Sequence, residues 1–186
     1  MLDSILQWDR DAFIYLNNLG EQPYDFFWST VTKYPPWIPL FLGILILFFI
    51  NYPKREALTL IVTLLVMVFF VETLTNLVKQ IVARPRPNND EDLKMMIRIV
   101  KNPSSYSFFS AHAAISFSII AFVTFCLRKY VSWVVLGFIW PVLFIMSRIY
   151  LGVHYPLDLL AGALFGALSA YFFFRIYHKL ISPYLK

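Results

Sequence analysis

The sequence predicts an all-α, polytopic membrane helical bundle of five to six transmembrane helices with an interfacial helix at the N-terminus. Of its 186 residues 59% are hydrophobic, mean hydropathy is +0.65, and only 15% are charged. That balance lies far outside the soluble range. Stretches without Asp, Glu, Lys or Arg recur at 34–53, 57–71, 102–127, 130–147 and 159–174.

Residues 1–33 form the first element. Ile5, Leu6, Trp8, Phe13, Ile14 and Leu16 alternate at helical spacing with Asp3, Asp9, Arg10, Asp11 and Asn17. The segment is too polar to span and reads as a helix lying in the interface, broken at Gly20 and Pro23. A span through 26–32 is the competing reading and supplies the sixth helix. Residues 34–186 then form the membrane-embedded domain. A helix needs about 20 residues to cross roughly 30 Å of hydrocarbon, so the shorter apolar stretches extend over flanking polar residues. Spans are expected near 37–52, 57–78, 108–127, 131–148 and 157–177. No segment has the pattern of a cleaved leader, so the first span is expected to act as the insertion signal.

Basic residues set the orientation. Lys54 and Arg55, Arg128 and Lys129, and Arg175, Lys179 and Lys186 mark one face as cytoplasmic by the positive-inside rule. The opposite face then holds residues 1–33, the loop 84–106 and the connection 149–156. Within the long loop, Met95, Met96, Ile97, Ile99 and Val100 follow a polar start, and a short amphipathic helix on the outer leaflet is expected there. The net charge of +5 resides at membrane boundaries, so no nucleic-acid partner is expected. The single cysteine, Cys126, excludes an internal disulfide and a thiolate metal cage. The 35 aromatic residues read mainly as interfacial belts and lipid-facing surface.

Three polar clusters remain at the outer ends of the spans: Lys79 with Arg86-Pro87, Ser110 with His112, and Ser147-Arg148 followed by His154 and Asp158. A cation in the membrane interior costs about 2.5–3.5 kcal/mol on insertion scales. Convergence of Lys79, Arg86 and Arg148 therefore calls for an anionic partner or water. Glu72, two turns below Lys79, is placed to pair with it, but one carboxylate cannot balance three cations. Arginine matches phosphate oxygens bidentately and lysine acts as a point charge. The free amides of the helix start at Ser110 and Ala111 add donors aimed at an anion. With Pro156 in the first turn of the last span, His154 and Asp158 share a face. Asp158 can then fix the tautomer of His154 and leave its other nitrogen as a nucleophile. Two histidines with separate tasks point to in-line phosphoryl transfer.

K-x6-R-P at 79–87, S-x-H at 110–112 and S-R-x5-H-x3-D at 147–158 resemble, in order and spacing, the three signature motifs of the type 2 phosphatidic acid phosphatase superfamily, which also includes vanadium haloperoxidases. The resemblance implies a phosphohistidine on His154 with Asp158 orienting it. It implies that His112 protonates the leaving oxygen and later activates water. Lys79, Arg86, Arg148 and Ser110, with the Ala111 amide, would hold the phosphate oxygens. It also implies no metal and no cofactor, in keeping with the absence of a leftover carboxylate or histidine cluster. The usual P-S-G-H departs here to Phe109-Ser110-Ala111-His112. Alanine continues a helix more readily than glycine, which bears on where the helix begins. Arg84 falls outside the motif spacing and is expected to be solvated or to contact headgroups; His178, on the cytoplasmic side, has no partner.

The expected reaction is metal-independent hydrolysis of a lipid phosphate monoester or diphosphate at the outer boundary of a bacterial inner membrane. Undecaprenyl diphosphate is the favoured substrate, with phosphatidylglycerophosphate and lipid A phosphates as alternatives. The rival of another class is a non-hydrolytic lipid-binding or transport protein. Membrane lipids are the only other partners expected, and oligomeric state is left open.

Overall fold

Each long apolar run is helical in the computed structural model, which describes residues 1–184; Lys186 of the basic tail lies outside them. Seven α-helices follow in order: α1 (Leu2–Asn18), α2 (Asp25–Val31), α3 (Ile38–Asn51), α4 (Lys54–Val82), α5 (Ala111–Leu127), α6 (Ile139–Tyr150) and α7 (Pro156–Ile176). No strand occurs among the described residues. The 3-10 turn Ser132–Phe138 runs directly into α6.

Among the described residues, three helical stretches are long and apolar enough to cross a membrane: Lys54–Asn89, Ser132–Tyr150 and Pro156–Tyr184. Gln22–Val31 and Pro35–Asn51, bent by 62° at their junction, meet that test only as a pair, the pattern of a broken span or a re-entrant loop. The seven residues of α2 extend only about 10 Å, so 26–32 is too short to be a span of its own. Pro35, Pro36 and Pro39 explain the bend, because each lacks an amide hydrogen and the residue before it is turned away from helix. With 17 residues, α5 is about 25 Å long. It lies at the centre, against both α4 and α7.

Two glycines set the closest approach. A Cβ on Gly162 would come 2.6 Å from the Ser110 carbonyl oxygen, and one on Gly166 would collide with the Ala114 carbonyl. Gly162-x3-Gly166 is thus a small-residue seam against Ala113, Ala114 and Ser118 of α5. In a bilayer, where lipid tails are as apolar as leucine, such packing holds helices together. Away from the seam the interior is filled by Phe48, Leu60, Met67, Phe122, Trp140 and Phe144.

One end of the bundle gathers the basic connections. The Tyr52 hydroxyl donates to the Cys126 carbonyl at 2.7 Å, that of Tyr177 to Glu56 at 3.1 Å, and the Lys129 ammonium lies 4.5 Å from the Tyr130 ring centre. His178 is at this end too, its ring edge-on to Phe174. The other end carries the loops 83–110 and 151–155.

The amphipathic helix expected within 84–106 does not form. A 3-10 turn at Pro87–Asn89 is followed by turns and extended chain. Local side-chain bonding and burial outweigh helical periodicity here. Leu93 is fully buried beside Phe13 and Tyr155, and Asn88 Nδ2 donates to Asn102 Oδ1 at 2.6 Å.

Helix α1 packs in an unexpected sense. Its buried stripe is Asp9, Phe13 and Asn17, whereas Ile5, Leu6, Trp8 and Leu16 are exposed. Asn17 Nδ2 donates to the Ile149 carbonyl at 2.9 Å, and its Oδ1 accepts from the Arg98 amide at 2.7 Å. The C-terminal end of α1 is thereby tied to the end of α6 and to the long loop.

Candidate active site

The chain leaves α6 through a Schellman turn. The Gly152 amide donates to the Ile149 carbonyl at 3.0 Å and the Val153 amide to the Arg148 carbonyl at 3.1 Å. Gly152 supplies the left-handed residue this motif needs, with φ of +78°. A Cβ there would also stand 2.6 Å from the Arg98 carbonyl oxygen. Arg148 and His154 are thus tied together through the turn.

Pro156 opens α7 at a position where its missing N–H costs nothing. Asp158 reaches back so that its Oδ2 accepts from the Tyr155 amide at 3.0 Å. The same Oδ2 lies 3.4 Å from His154 Nδ1, a long contact. On the far side of the ring, Nε2 lies 2.9 Å from Arg86 Nη1. A guanidinium only donates, so Nε2 is the acceptor and the proton sits on Nδ1, facing Asp158. This is the tautomer a nucleophilic Nε2 requires. Burial, followed by the charges of Arg86, Arg148 and Lys79, holds the His154 imidazole well below its ordinary pKa and keeps it neutral.

Helix α4 ends at Ala83 in the left-handed region, φ 50°, and Pro85 and Pro87 prevent its resumption. Arg86 is directed inward. Its Nε donates to the Ser105 carbonyl at 2.7 Å, its Nη2 to Ser105 Oγ at 3.0 Å and its Nη1 to the Val153 carbonyl at 2.9 Å. Lys79, one turn before the helix end, donates to the Tyr106 carbonyl at 3.2 Å. Its expected pairing with Glu72 is absent. Glu72 faces outward, and no ion pair involving it occurs among the described residues.

Ser110 caps α5, its Oγ accepting from the Ala113 amide at 3.5 Å. Its own amide, expected to be free for an anion, donates instead to the Asp158 carbonyl at 3.0 Å. That bond joins the second cluster to the third and leaves Ala111, the first helical residue, and His112 as the amides available in this turn. The His112 ring lies between Tyr34 and Phe144, with centroids 6.2 and 5.2 Å away. The helix begins directly after Ser110 although proline and glycine are absent from the motif.

Arg148 donates through Nη1 to Thr32 Oγ1 at 2.7 Å, and its buried Nε has no partner. Thr32, in the kink between α2 and α3, had no motif to announce it. The expectation for Arg84 is overturned more sharply. It is not solvated: Nη1 contacts Asp158 Oδ1 and Nη2 contacts Asp9 Oδ2, both at 2.7 Å, and its guanidinium lies 4.0 Å from the centre of the Tyr155 ring. The Arg-Pro-Arg-Pro pattern restrains two arginines, but spacing alone does not tell which turns toward a carboxylate.

The cations therefore divide. Arg84 is matched by two buried carboxylates, whereas Lys79, Arg86 and Arg148, each 9% exposed or less, have no acidic partner among the described residues. Such a set suits an incoming oxyanion. Beside it, an apolar cavity of about 460 Å³ runs between α3, α4 and α5, lined by Tyr34, Phe41, Ile61, Leu64, Glu72 and Ile115. Tyr34 links this cavity to His112. Among the described residues no three His, Cys, Asp or Glu side chains form a group able to hold a metal.

A model of the PAP2 superfamily matches residues 56–182. The chain is 30% identical over 185 residues to a lipid A 4'-phosphatase of Bacteroides thetaiotaomicron, covering 97% of this chain and 81% of that protein. It is 31% identical over 131 residues to an undecaprenyl-diphosphatase of Sulfolobus acidocaldarius, covering 70% and 58%. The fold is similar to the crystal structure of a transmembrane PAP2-type phosphatidylglycerolphosphate phosphatase from Bacillus subtilis. There the TM-score is 0.74 at 20% identity, over 95% of this chain and 88% of that one.

Proposed function

The chain belongs to the PAP2 superfamily and is an integral membrane phosphatase acting on lipid phosphate esters, and from that premise we propose that it hydrolyses a lipid diphosphate, undecaprenyl diphosphate, to the monophosphate. The observation that carries this reading is the trio of buried, unpaired cations around one neutral imidazole. In the proposed reaction the terminal phosphorus docks among Lys79, Arg86, Arg148, Ser110 and the Ala111 amide. Arg86 transfers its Nη1 donation from Nε2 to a phosphate oxygen and so frees the nucleophile. Nε2 then bonds to phosphorus as the bridging P–O bond breaks, and His112 delivers its proton to the departing lipid phosphate oxygen. Asp158 holds Nδ1–H as positive charge builds on the ring. Water, deprotonated by His112, then attacks the phosphohistidine, inorganic phosphate leaves, and His154 is restored. No step calls on a metal.

Two further cations support a diphosphate over a monoester. Lys101 is fixed by its amide to the Leu151 carbonyl at 3.3 Å, and Lys33 follows the Thr32 that holds Arg148. Neither forms an ion pair among the described residues, and the lipid-linked phosphate group of the substrate would meet them. The lipid chain occupies the apolar cavity below Tyr34. In this reading α3 and α5 also span, bringing the bundle to five crossings, and residues 1–33 pack at the outer interface of a bacterial inner membrane with the site on its extracytoplasmic side.

A lipid A phosphate is the second reading, favoured by the Bacteroides relative that matches nearly the whole chain. Purified protein offered undecaprenyl diphosphate, lipid A and phosphatidylglycerophosphate in the presence of a chelator distinguishes them. Phosphate release fastest from the diphosphate, and abolished in His154→Ala, is expected. Release fastest from lipid A moves the substrate assignment. Release unaffected by His154→Ala removes the phosphohistidine route, and no release from any lipid leaves the binding or transport reading.

A further inference from the structure

We propose that Asp9 and Arg84 are positioning residues for the nucleophile, which makes the N-terminal helix a part of the catalytic unit; the inference rests on the reading of His154 as the attacking group. A continuous line of contacts runs from α1 to the imidazole. Asp9 Oδ2 accepts from Arg84 Nη2 at 2.7 Å, Arg84 Nη1 donates to Asp158 Oδ1 at 2.7 Å, and Asp158 Oδ2 faces His154 Nδ1 at 3.4 Å. Asp9 and Asp158 are both fully buried. The other oxygen of Asp9 accepts from the Leu157 amide at 2.8 Å, one of the first-turn amides of α7 that has no intrahelical partner.

The geometry explains why two carboxylates flank one guanidinium. The 3.4 Å contact from Asp158 to the imidazole is near the limit of a hydrogen bond, so a modest rotation of the carboxylate breaks it. Arg84 prevents that rotation by gripping the opposite oxygen. Without Asp9, Arg84 would be anchored at one end only, and its whole field would fall on Asp158. That would draw negative charge away from the oxygen that must stabilise a charged imidazole. Asp9 divides the field and pins the guanidinium, while Tyr155 covers its face and Phe13 packs edge-on against Tyr155 at 5.4 Å. Both terminal nitrogens of Arg84 are engaged with carboxylates, so it is not a fourth phosphate ligand. Asn17, two turns along the same stripe, ties α1 to the end of α6.

The test uses the full-length protein in detergent with a lipid diphosphate as substrate and inorganic phosphate as inhibitor. Asp9→Asn keeps an acceptor for Leu157 and removes the charge. By analogy with the outer partners of metal-ligating histidines, whose loss typically costs about 10- to 100-fold in activity, kcat is expected to fall by a factor of that order. KM and the phosphate inhibition constant stay where they are, because the phosphate ligands are untouched. Asp9→Glu is expected to recover part of the loss. Wild-type kcat in Asp9→Asn overturns the proposal. So does a loss in which kcat, phosphate affinity and thermal midpoint decline together without recovery in Asp9→Glu, which marks a purely structural role. Should Asp9→Asn fail to fold, Arg84→Lys is read the same way: a lowered kcat at constant phosphate inhibition supports the proposal, and wild-type kcat overturns it. His154→Ala in the same assay separates the two levels. Activity retained there ends the nucleophile reading itself, whereas an inactive His154→Ala beside a fully active Asp9→Asn ends only the positioning role.

Discussion

His154 has both ring nitrogens engaged, Nδ1 toward Asp158 and Nε2 by Arg86, so its proton position follows from the chemistry of its neighbours. Its pKa lies well below that of a free imidazole because of burial and the surrounding cations. The unfolded chain binds the proton near pH 6.5. The folded state therefore loses stability as pH falls below that value, while the His154 imidazole stays neutral there. A pH profile of kcat/KM is expected to be bell-shaped, with its acid limb below about pH 6.5; an acid limb centred above that pH contradicts a buried neutral His154. Lys79, Arg86, Arg148, Ser110, His112, His154 and Asp158 were all legible as members of one constellation from residue type and spacing. Asp9, Arg84 and Thr32 were not. An aspartate on an interfacial helix, an arginine at a membrane boundary and a threonine in a kink all have ordinary explanations in sequence. Their partners are 75 and 74 residues away from Arg84 and 116 from Thr32.

Helices α5 and α7 carry His112 and Asp158, and their separation is set by the glycine seam. Gly166→Ala is expected to force the helices apart at Ala114, lowering the thermal midpoint and phosphatase activity together; full retention of both contradicts the role of the seam. Gly152→Ala acts differently, at a single turn. A non-glycine residue in the left-handed region costs about 1–2 kcal/mol, and the added Cβ meets the Arg98 carbonyl as well. Activity is expected to fall more than stability there, because the turn aims His154; unchanged turnover argues against this. Long apolar stretches free of charged residues made α3 to α7 predictable. The short amphipathic helix expected within the loop 84–106 is absent because periodicity at Met95, Met96, Ile97 and Ile99 does not register that Leu93 is buried against Phe13 and Tyr155 and that Asn88 is held by Asn102 across the loop.

Across the whole molecule, the basic connections and the candidate site lie at opposite ends. Basic connections gather beside Tyr52 and Cys126, and the candidate site is formed by the loops at the other end. With the site outward, a cysteine placed at Asn102 is expected to react with an impermeant thiol reagent added to intact cells, whereas one at Lys54 reacts only after lysis; the reverse pattern inverts the orientation. Buried Cys126 gives a low background. The sequence by itself determined the all-α membrane character, the order of the helices and the three clusters, because hydropathy and motif spacing are local properties of the chain. Tertiary structure alone decided which cations remain unpaired, which arginine turns to the carboxylates, and that a polar stripe of the first helix is buried against Arg84 and the start of α7. Those outcomes depend on which segments meet, and an ion pair is made or left open only when distant carboxylates and guanidinium groups arrive in the same place.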